Sequence, residues 1–307
     1  MRNHIIKSVL WLFVTIVSIL VVIFSQIKTS INIPDWIGII FGALFAVFLE
    51  RFVMSIQELT DVRTWQKTLR QLVRSKLIRP KDYIRISFSY LYRIKIDGQY
   101  FLVKNHRNID KFQPVGGVYK CDEEELQFLK TEYHVASDNG IRNDSISKND
   151  YRLRVPAKYL RKFVRRFNNY KTRFETVSNL SREFNEELIC TNILNRDTFN
   201  EIEYLVCGRH YSDITYSTFY HCYELLLADI VELLPTKEQE SELRRLQNNN
   251  HMFYWATEEE ILSEGVFAGS DEQASKITNN ARKVLEVCSQ ELIPIGCKQT
   301  IYRVHIR

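Results

Sequence analysis

Residues 181–187 read Ser181-Arg182-Glu183-Phe184-Asn185-Glu186-Glu187. Well upstream stands Phe112-Gln113-Pro114-Val115-Gly116-Gly117, followed after a five-residue gap by Glu123. On a helix Glu183, Glu186 and Glu187 occupy i, i+3 and i+4, so their carboxylates fall on one face and can hold a hard divalent cation through oxygen. Magnesium there neutralises a diphosphate and polarises its phosphorus for attack by water. A glycine pair at a strand end lets the backbone approach a ligand or a helix closely. Taken alone, the acidic string equally describes a solvated helix face.

The flanking sequence supplies strands. Tyr83 to Ile96 alternates apolar and polar residues, Asp97-Gly98 makes a tight turn, and Gln99 to Lys104 resumes the alternation, which predicts a hairpin. Downstream, Glu201–Val206 and Thr215–Leu227 read as strands rich in Tyr, Val and Thr, while Thr236–Gln247 and Gln273–Cys288 read as helices. Tyr254-Trp255 leads into an acidic helix over Glu258–Ile261. His210, His221 and His251 are scattered, and the six cysteines contain no C-x-x-C pair, so neither type points to a metal site. No Ser-His-Asp pattern and no phosphate-binding glycine loop is present.

In this context the chain resembles the Nudix family, whose signature is a glycine, five residues, a glutamate, seven residues and then R-E-apolar-x-E-E. The resemblance implies a Nudix-like α/β/α sandwich over 81–307. Gly116, Gly117, Glu123 and Arg182 would be its structural motif positions, with Arg182 paired to Glu123, and any magnesium would sit on Glu183, Glu186 and Glu187. Two departures bear on catalysis. The spacer after Glu123 is roughly fifty residues longer than the family's, which implies an insertion over about 124–178, and Ile189 stands where the family has a glycine. They tilt the reading from hydrolase toward nucleotide sensor, and no catalytic residue is assigned.

Within the insertion, Ser137–Asp150 is rich in Asn, Asp and Ser and reads as a loop. From Tyr151 to Phe174 basic residues interleave with aromatics and no acid occurs. Leu160, Phe163, Val164 and Phe167 form an apolar helical stripe, leaving Arg161, Lys162, Arg165 and Arg166 on the polar side. That side has three readings: nucleotide phosphates met by forked guanidinium contacts, an anionic lipid surface, or a solvated basic face.

The N-terminal region reads differently. Residues 8–27 carry no charge, and at 1.5 Å per residue they reach across the roughly 30 Å of a bilayer core. A cleaved signal peptide is the alternative, but no small-x-small site follows and a second apolar segment begins at once. Spans over about 8–27 and 34–54 predict a transmembrane hairpin. Lys and Arg gather before the first span and after the second, which puts both termini in the cytoplasm of a multi-pass inner-membrane protein. Gly38, Gly42 and Ala46 recur every fourth residue, a stripe that lets helices approach closely. Residues 55–80 read as an amphipathic stalk helix ended by Pro80.

Composition sets outer bounds. With 45% hydrophobic and 26% charged residues the chain builds a core, and 42 basic against 37 acidic residues is too mild a surplus to predict direct nucleic-acid binding. The α+β whole, a two-helix hairpin before a Nudix-like domain with a basic insertion, is similar to effectors of CBASS anti-phage systems that carry a SMODS-associated Nudix domain. That resemblance implies a cyclic nucleotide as activating ligand, homo-oligomerisation on activation, and helices that assemble among inner-membrane lipids and breach the membrane. The competing expectation is a membrane-anchored Nudix hydrolase that uses magnesium on a nucleoside diphosphate derivative. A third is a membrane-associated binding protein without killing activity.

Overall fold

A computed structural model describes residues 2–26, 44–51, 64–105, 110–138, 149–169, 175–246, 249–266, 276–295 and 300–306. The chain divides into two compact units, Met1–Lys67 and Thr68–Arg307.

The first unit contains α1 (Arg2–Gln26), α2 (residues 44–51) and the start of α3 (Thr64–Arg74). Trp11 of α1 meets Phe48 of α2 with ring centroids 6.0 Å apart. The buried hydroxyls of Thr15 and Ser18 donate to the carbonyls of Trp11 and Val14 one turn back, at 2.7 and 2.9 Å. Among the described residues no helix is long and apolar enough to cross a membrane. This overturns the predicted transmembrane hairpin and the multi-pass inner-membrane placement built on it. Gly38, Gly42 and the turn between the segments lie outside the described residues, and Ala46 is exposed on α2.

The second unit is α+β and built on a mixed sheet. Its strands are β1 (Tyr83–Arg93), β2 (Lys95–Ile96), β3 (Gln99–Lys104), β4 (Phe112–Pro114), β5 (Gly116–Val118), β6 (Ala136–Ser137), β7 (Arg152–Pro156), β8 (Glu201–Tyr211), β9 (Thr215–Ser217), β10 (Cys222–Leu233), β11 (Phe253–Ala256) and β12 (Ile301–His305). The larger sheet runs β12-β8-β10-β1-β7-β6, with β5 also on β1 and β9 on β10; the smaller runs β11-β3-β2, with β4 on β3. Among the described strands β1 and β10 pair in parallel and the other strand pairs are antiparallel. The predicted hairpin is present as β2 and β3, turned by Asp97 and Gly98 at φ 49° and 82°.

Side chains of β1 alternate between the two faces of the sheet. Phe88, Tyr90 and Tyr92, all at 0% exposure, point to one face. Phe88 there meets Phe163 and Phe167 of α5 (Ala157–Asn168) at 5.8 and 4.7 Å, and Tyr92 meets Phe184 at 5.5 Å. Leu91 points the other way and packs with Ala228 and Ile230 against Leu102, Ala256, Ile261 and Leu285. The predicted stripe of α5 is the face it buries. The insertion is therefore part of the core: β7 and β5 lie end to end along one edge of β1, at Tyr83–Ser87 and Ser89–Leu91, and α5 packs on the same sheet. It also contains α4 (Glu123–Tyr133).

Downstream, Thr236 caps α7 (Lys237–Arg245), and β11 leads into α8 (Glu258–Leu262) as expected. The helix predicted over Gln273–Cys288 differs. Its described part holds the short 3-10 turns Asn279–Val284 and Val287–Glu291, the second starting just after the buried guanidinium of Arg93 takes the carbonyls of Val284 and Leu285 at 2.5 and 3.0 Å. An α-helix needs those acceptors for its own ladder.

Candidate functional site

The motif segment starts as one turn of α-helix, α6 (Arg182–Phe184), and widens at once into a π-helical turn over Asn185–Ile189. Such turns are rare and cluster at functional sites. The wider turn separates the carboxylates that regular i, i+3, i+4 spacing would align. Glu187 turns inward and is buried, the side chain of Glu183 keeps 14% exposure, and that of Glu186 keeps 49%. Ile189, at the family's glycine position, is buried at the end of this turn.

Both glycines are required by close approach. Gly116 lies at φ +144°, and a Cβ there would stand 2.2 Å from the carbonyl oxygen of Tyr90. A Cβ on Gly117 would stand 1.8 Å from Glu183 Oε1, so the missing side chain makes room for that carboxylate on the backbone of β5. Glu187 accepts the Gly116 amide N–H at 2.9 Å and the Gln113 amide at 3.2 Å. The fold thus brings Gly116, Gly117, Arg182, Glu183 and Glu187 together.

Arg182 differs in its partner. Its guanidinium donates to Glu183 at 2.5 Å, to the Val118 carbonyl at 2.9 Å, to Glu175 at 3.2 Å and to Glu186 at 3.4 Å. Glu123, the residue expected to pair with it, is exposed on the first turn of α4, where Asp122 caps the helix. Glu175 is 3% exposed and also accepts the Tyr90 hydroxyl at 2.9 Å and the Lys120 amide at 2.8 Å. The sequence held a signal for it: Glu175 precedes Arg182 by almost the spacing the motif prescribes, and the interruption falls before it, inside the glycine-to-glutamate half.

Burial dominates the electrostatics. It raises the carboxyl of Glu187 well above the ordinary range, with the charge of Glu183 adding to it. Burial also raises Glu183, against the opposing pull of Arg182. For Arg182 burial acts downward, but Tyr90, Glu175 and Glu183 outweigh it and hold the guanidinium above its usual value. A fixed cation surrounded by committed carboxylates organises the local backbone.

The basic residues of α5 divide. Arg166 is engaged: its guanidinium forks onto the buried Glu125 at 2.7 and 2.5 Å and lies 3.7 Å from the centroid of Phe128. Arg161 is lowered by burial and then by the nearby Arg70. Lys162 and Arg165 are exposed. Through Phe88, Tyr90 and Tyr92, α5 and the motif helix share one face of β1, with Tyr119 between them, 5.1 Å from Tyr90 and 5.3 Å from Phe167.

The donor set does not fit a magnesium ion. Hard cations take several convergent oxygens. Here Glu187 is spent on Gly116 and Gln113, Glu183 is spent on Arg182, and Glu186 points outward. Among the described residues no group of three or more His, Cys, Asp or Glu is arranged to hold a metal.

Comparison with curated proteins finds no match. A family model does match: that of the SMODS-associated NUDIX domain, over residues 83–285. Its first matched residue opens β1 and its last, Leu285, closes the core cluster beneath the smaller sheet, so the match spans the sheet, the split motif and the insertion. The chain belongs to the SMODS-associated NUDIX domain family.

Proposed function

We propose that the chain is a CBASS-type effector whose Nudix-like domain binds a cyclic nucleotide messenger and does not hydrolyse it. The family match supports the setting, and one observation carries the choice of sensor over enzyme. The carboxylates that a Nudix hydrolase would use for metal are built into the fold, Glu187 as the acceptor for Gly116 and Glu183 as the partner of Arg182. Nudix domains commonly use magnesium, and a ligand-binding role needs none from this set.

Binding acts on self-association. A ligand shifts an equilibrium only through different affinities for its two states, so the messenger must bind assembled chains more tightly than single ones. The test uses the full chain and a panel of cyclic di- and trinucleotides, with affinity read by calorimetry and mass by light scattering. Expected is magnesium-independent binding of at least one member, with a rise in mass. Magnesium-dependent release of a nucleoside monophosphate, abolished by Glu186→Gln or Glu187→Gln, would instead establish the hydrolase.

A further inference from the structure

Among the described residues, the face of the large sheet turned away from the motif helix is least covered at the middle of β1. Toward the end of β1, Leu91 is sealed beneath the smaller sheet and Arg93 beneath the 3-10 turns. Toward its start, Arg85 is 4% exposed and lies 3.8 Å from the centroid of Tyr220; between these ends Ser87 and Ser89 of β1 and Leu226 of β10 are only half-buried, although both strands are paired on either side. Phe88 and Tyr90 on the opposite face are at 0% exposure. Central-strand positions with small hydroxyl side chains that solvent reaches form an open floor.

The rim of that floor is cationic. In the antiparallel register Arg85 stands opposite Arg154, and Ser87 opposite Arg152, so all four side chains share this face. The nearby acids are already engaged more closely by other cations. Asp138 takes Arg85 at 2.7 Å, Glu224 takes Arg85 at 2.9 Å, and Asp150 takes Lys120 at 3.0 Å. Arg154 approaches Asp138 only to 3.6 Å, and its buried Nε makes no hydrogen bond among the described residues. Arg85 and Arg154 therefore share the Asp138 carboxylate. Lys283, whose ammonium is lowered by burial against the pull of Glu224, adds charge from the 3-10 turn, and its carbonyl lies 3.2 Å from His210 Nε2.

We propose that this partly open patch, floored by Ser87 and Ser89 and edged by Arg154 and Lys283, is the phosphate-binding surface that receives the messenger's phosphodiesters. This rests on the sensing role proposed above. The partly exposed guanidinium of Arg154, held only loosely by Asp138, matches two phosphate oxygens, and the Ser87 hydroxyl adds a short neutral donor, that of Ser89 being given to the Leu227 carbonyl at 3.0 Å.

Calorimetry on the full chain tests this with two probes, inorganic pyrophosphate and the panel of cyclic nucleotides. Arg154→Gln and Lys283→Gln are expected to weaken both by about tenfold or more, the loss of a charged hydrogen bond. Lys162→Gln and Arg165→Gln, on α5, are expected to change either by less than about twofold. Ser87→Val fills the floor with a strand-compatible side chain and touches no charge, so it is expected to weaken binding even if Arg154→Gln fails to fold. Pyrophosphate binding that needs Arg154, with no cyclic nucleotide bound, upholds the surface and refutes the messenger. Nucleotide binding lost in the α5 variants and kept in Arg154→Gln and Ser87→Val overturns the surface and leaves sensing intact. Absence of pyrophosphate binding, or binding indifferent to Arg154, Lys283 and Ser87, overturns the surface.

Discussion

Glu175→Gln removes a buried negative charge with almost no change of shape. Glu175 accepts from the Tyr90 hydroxyl, the Lys120 amide and Arg182, and glutamine keeps one acceptor oxygen and turns the other site into a donor. Removing one partner of a buried ion pair costs about 3–5 kcal/mol. Arg182 keeps 19% exposure and its bond to Glu183, which reduces the loss, and the Tyr90 hydroxyl can rotate to accept. The expected destabilisation is about 2–3 kcal/mol. With a urea slope of about 3 kcal/mol per molar, the unfolding midpoint falls by about 1 M. Glu123→Gln, on an exposed first turn, is expected to stay within about 0.5 kcal/mol. A double-mutant cycle with Arg182→Met should return at least about 1 kcal/mol of coupling for Glu175 and none for Glu123. Equal midpoints for the two glutamine variants, or coupling found at Glu123, would refute the assignment of Glu175 as the motif glutamate.

Three further outcomes follow from the same geometry. Gly116→Ala meets the backbone of Tyr90 at a positive φ and should cost at least about 3 kcal/mol, whereas Gly117→Ala meets a side chain, that of Glu183, rather than backbone and should cost about 1–2 kcal/mol; urea unfolding of the pair gives the ranking. Phe163→Ala, at 1% exposure, should cost about 3–5 kcal/mol, while its neighbour Lys162→Gln leaves the midpoint unchanged; a small loss at Phe163 would mean α5 is not core. Burial lowers the pKa of His210 below 6.5, so the unfolded chain takes up the proton first. Its contribution to stability is full above about pH 6.5 and is lost as pH falls through the folded value; urea midpoints measured downward from neutral pH should fall less steeply in His210→Gln than in the parent.

The strands and the apolar stripe of α5 were legible because they rest on local pattern. Period-two alternation located β1 and β3, Asp97-Gly98 the turn between β2 and β3, and Leu160, Phe163, Val164 and Phe167 the buried face of α5. What escaped depends on contacts distant in sequence. Nothing local predicts the π turn at Asn185–Ile189, which follows the demand of Gly116 and Gln113 for the Glu187 carboxylate. The failed helix over Gln273–Cys288 has a similar origin, since Arg93 draws the carbonyls of Val284 and Leu285 from almost two hundred residues away. Basic residues in the insertion looked alike in sequence, yet Arg166 is spent on Glu125 whereas Arg154, one strand earlier, is not fully satisfied. The N-terminal hairpin was read from hydropathy alone, and the described helices lack the apolar length that reading required.

The split motif is tolerable for a reason that can be stated energetically. Closing a longer loop costs entropy only logarithmically, so roughly fifty extra residues add little if both ends are held. They are held tightly: Lys120, just after β5, donates its amide to Glu175, and Arg182 reaches back to the carbonyl of Val118. Between these ties the insertion supplies its own compensation, because β7 extends the edge of β1 and α5 buries Leu160, Phe163, Val164 and Phe167. Without β7 the first half of β1 would expose an unpaired edge, and without α5 Phe88 would lose its partners. The sheet has therefore come to depend on the inserted segment, so deleting 121–173 should unfold the domain rather than restore a shorter Nudix fold. A deletion variant that stays folded, with Phe88 solvent-exposed, would show that dependence to be absent.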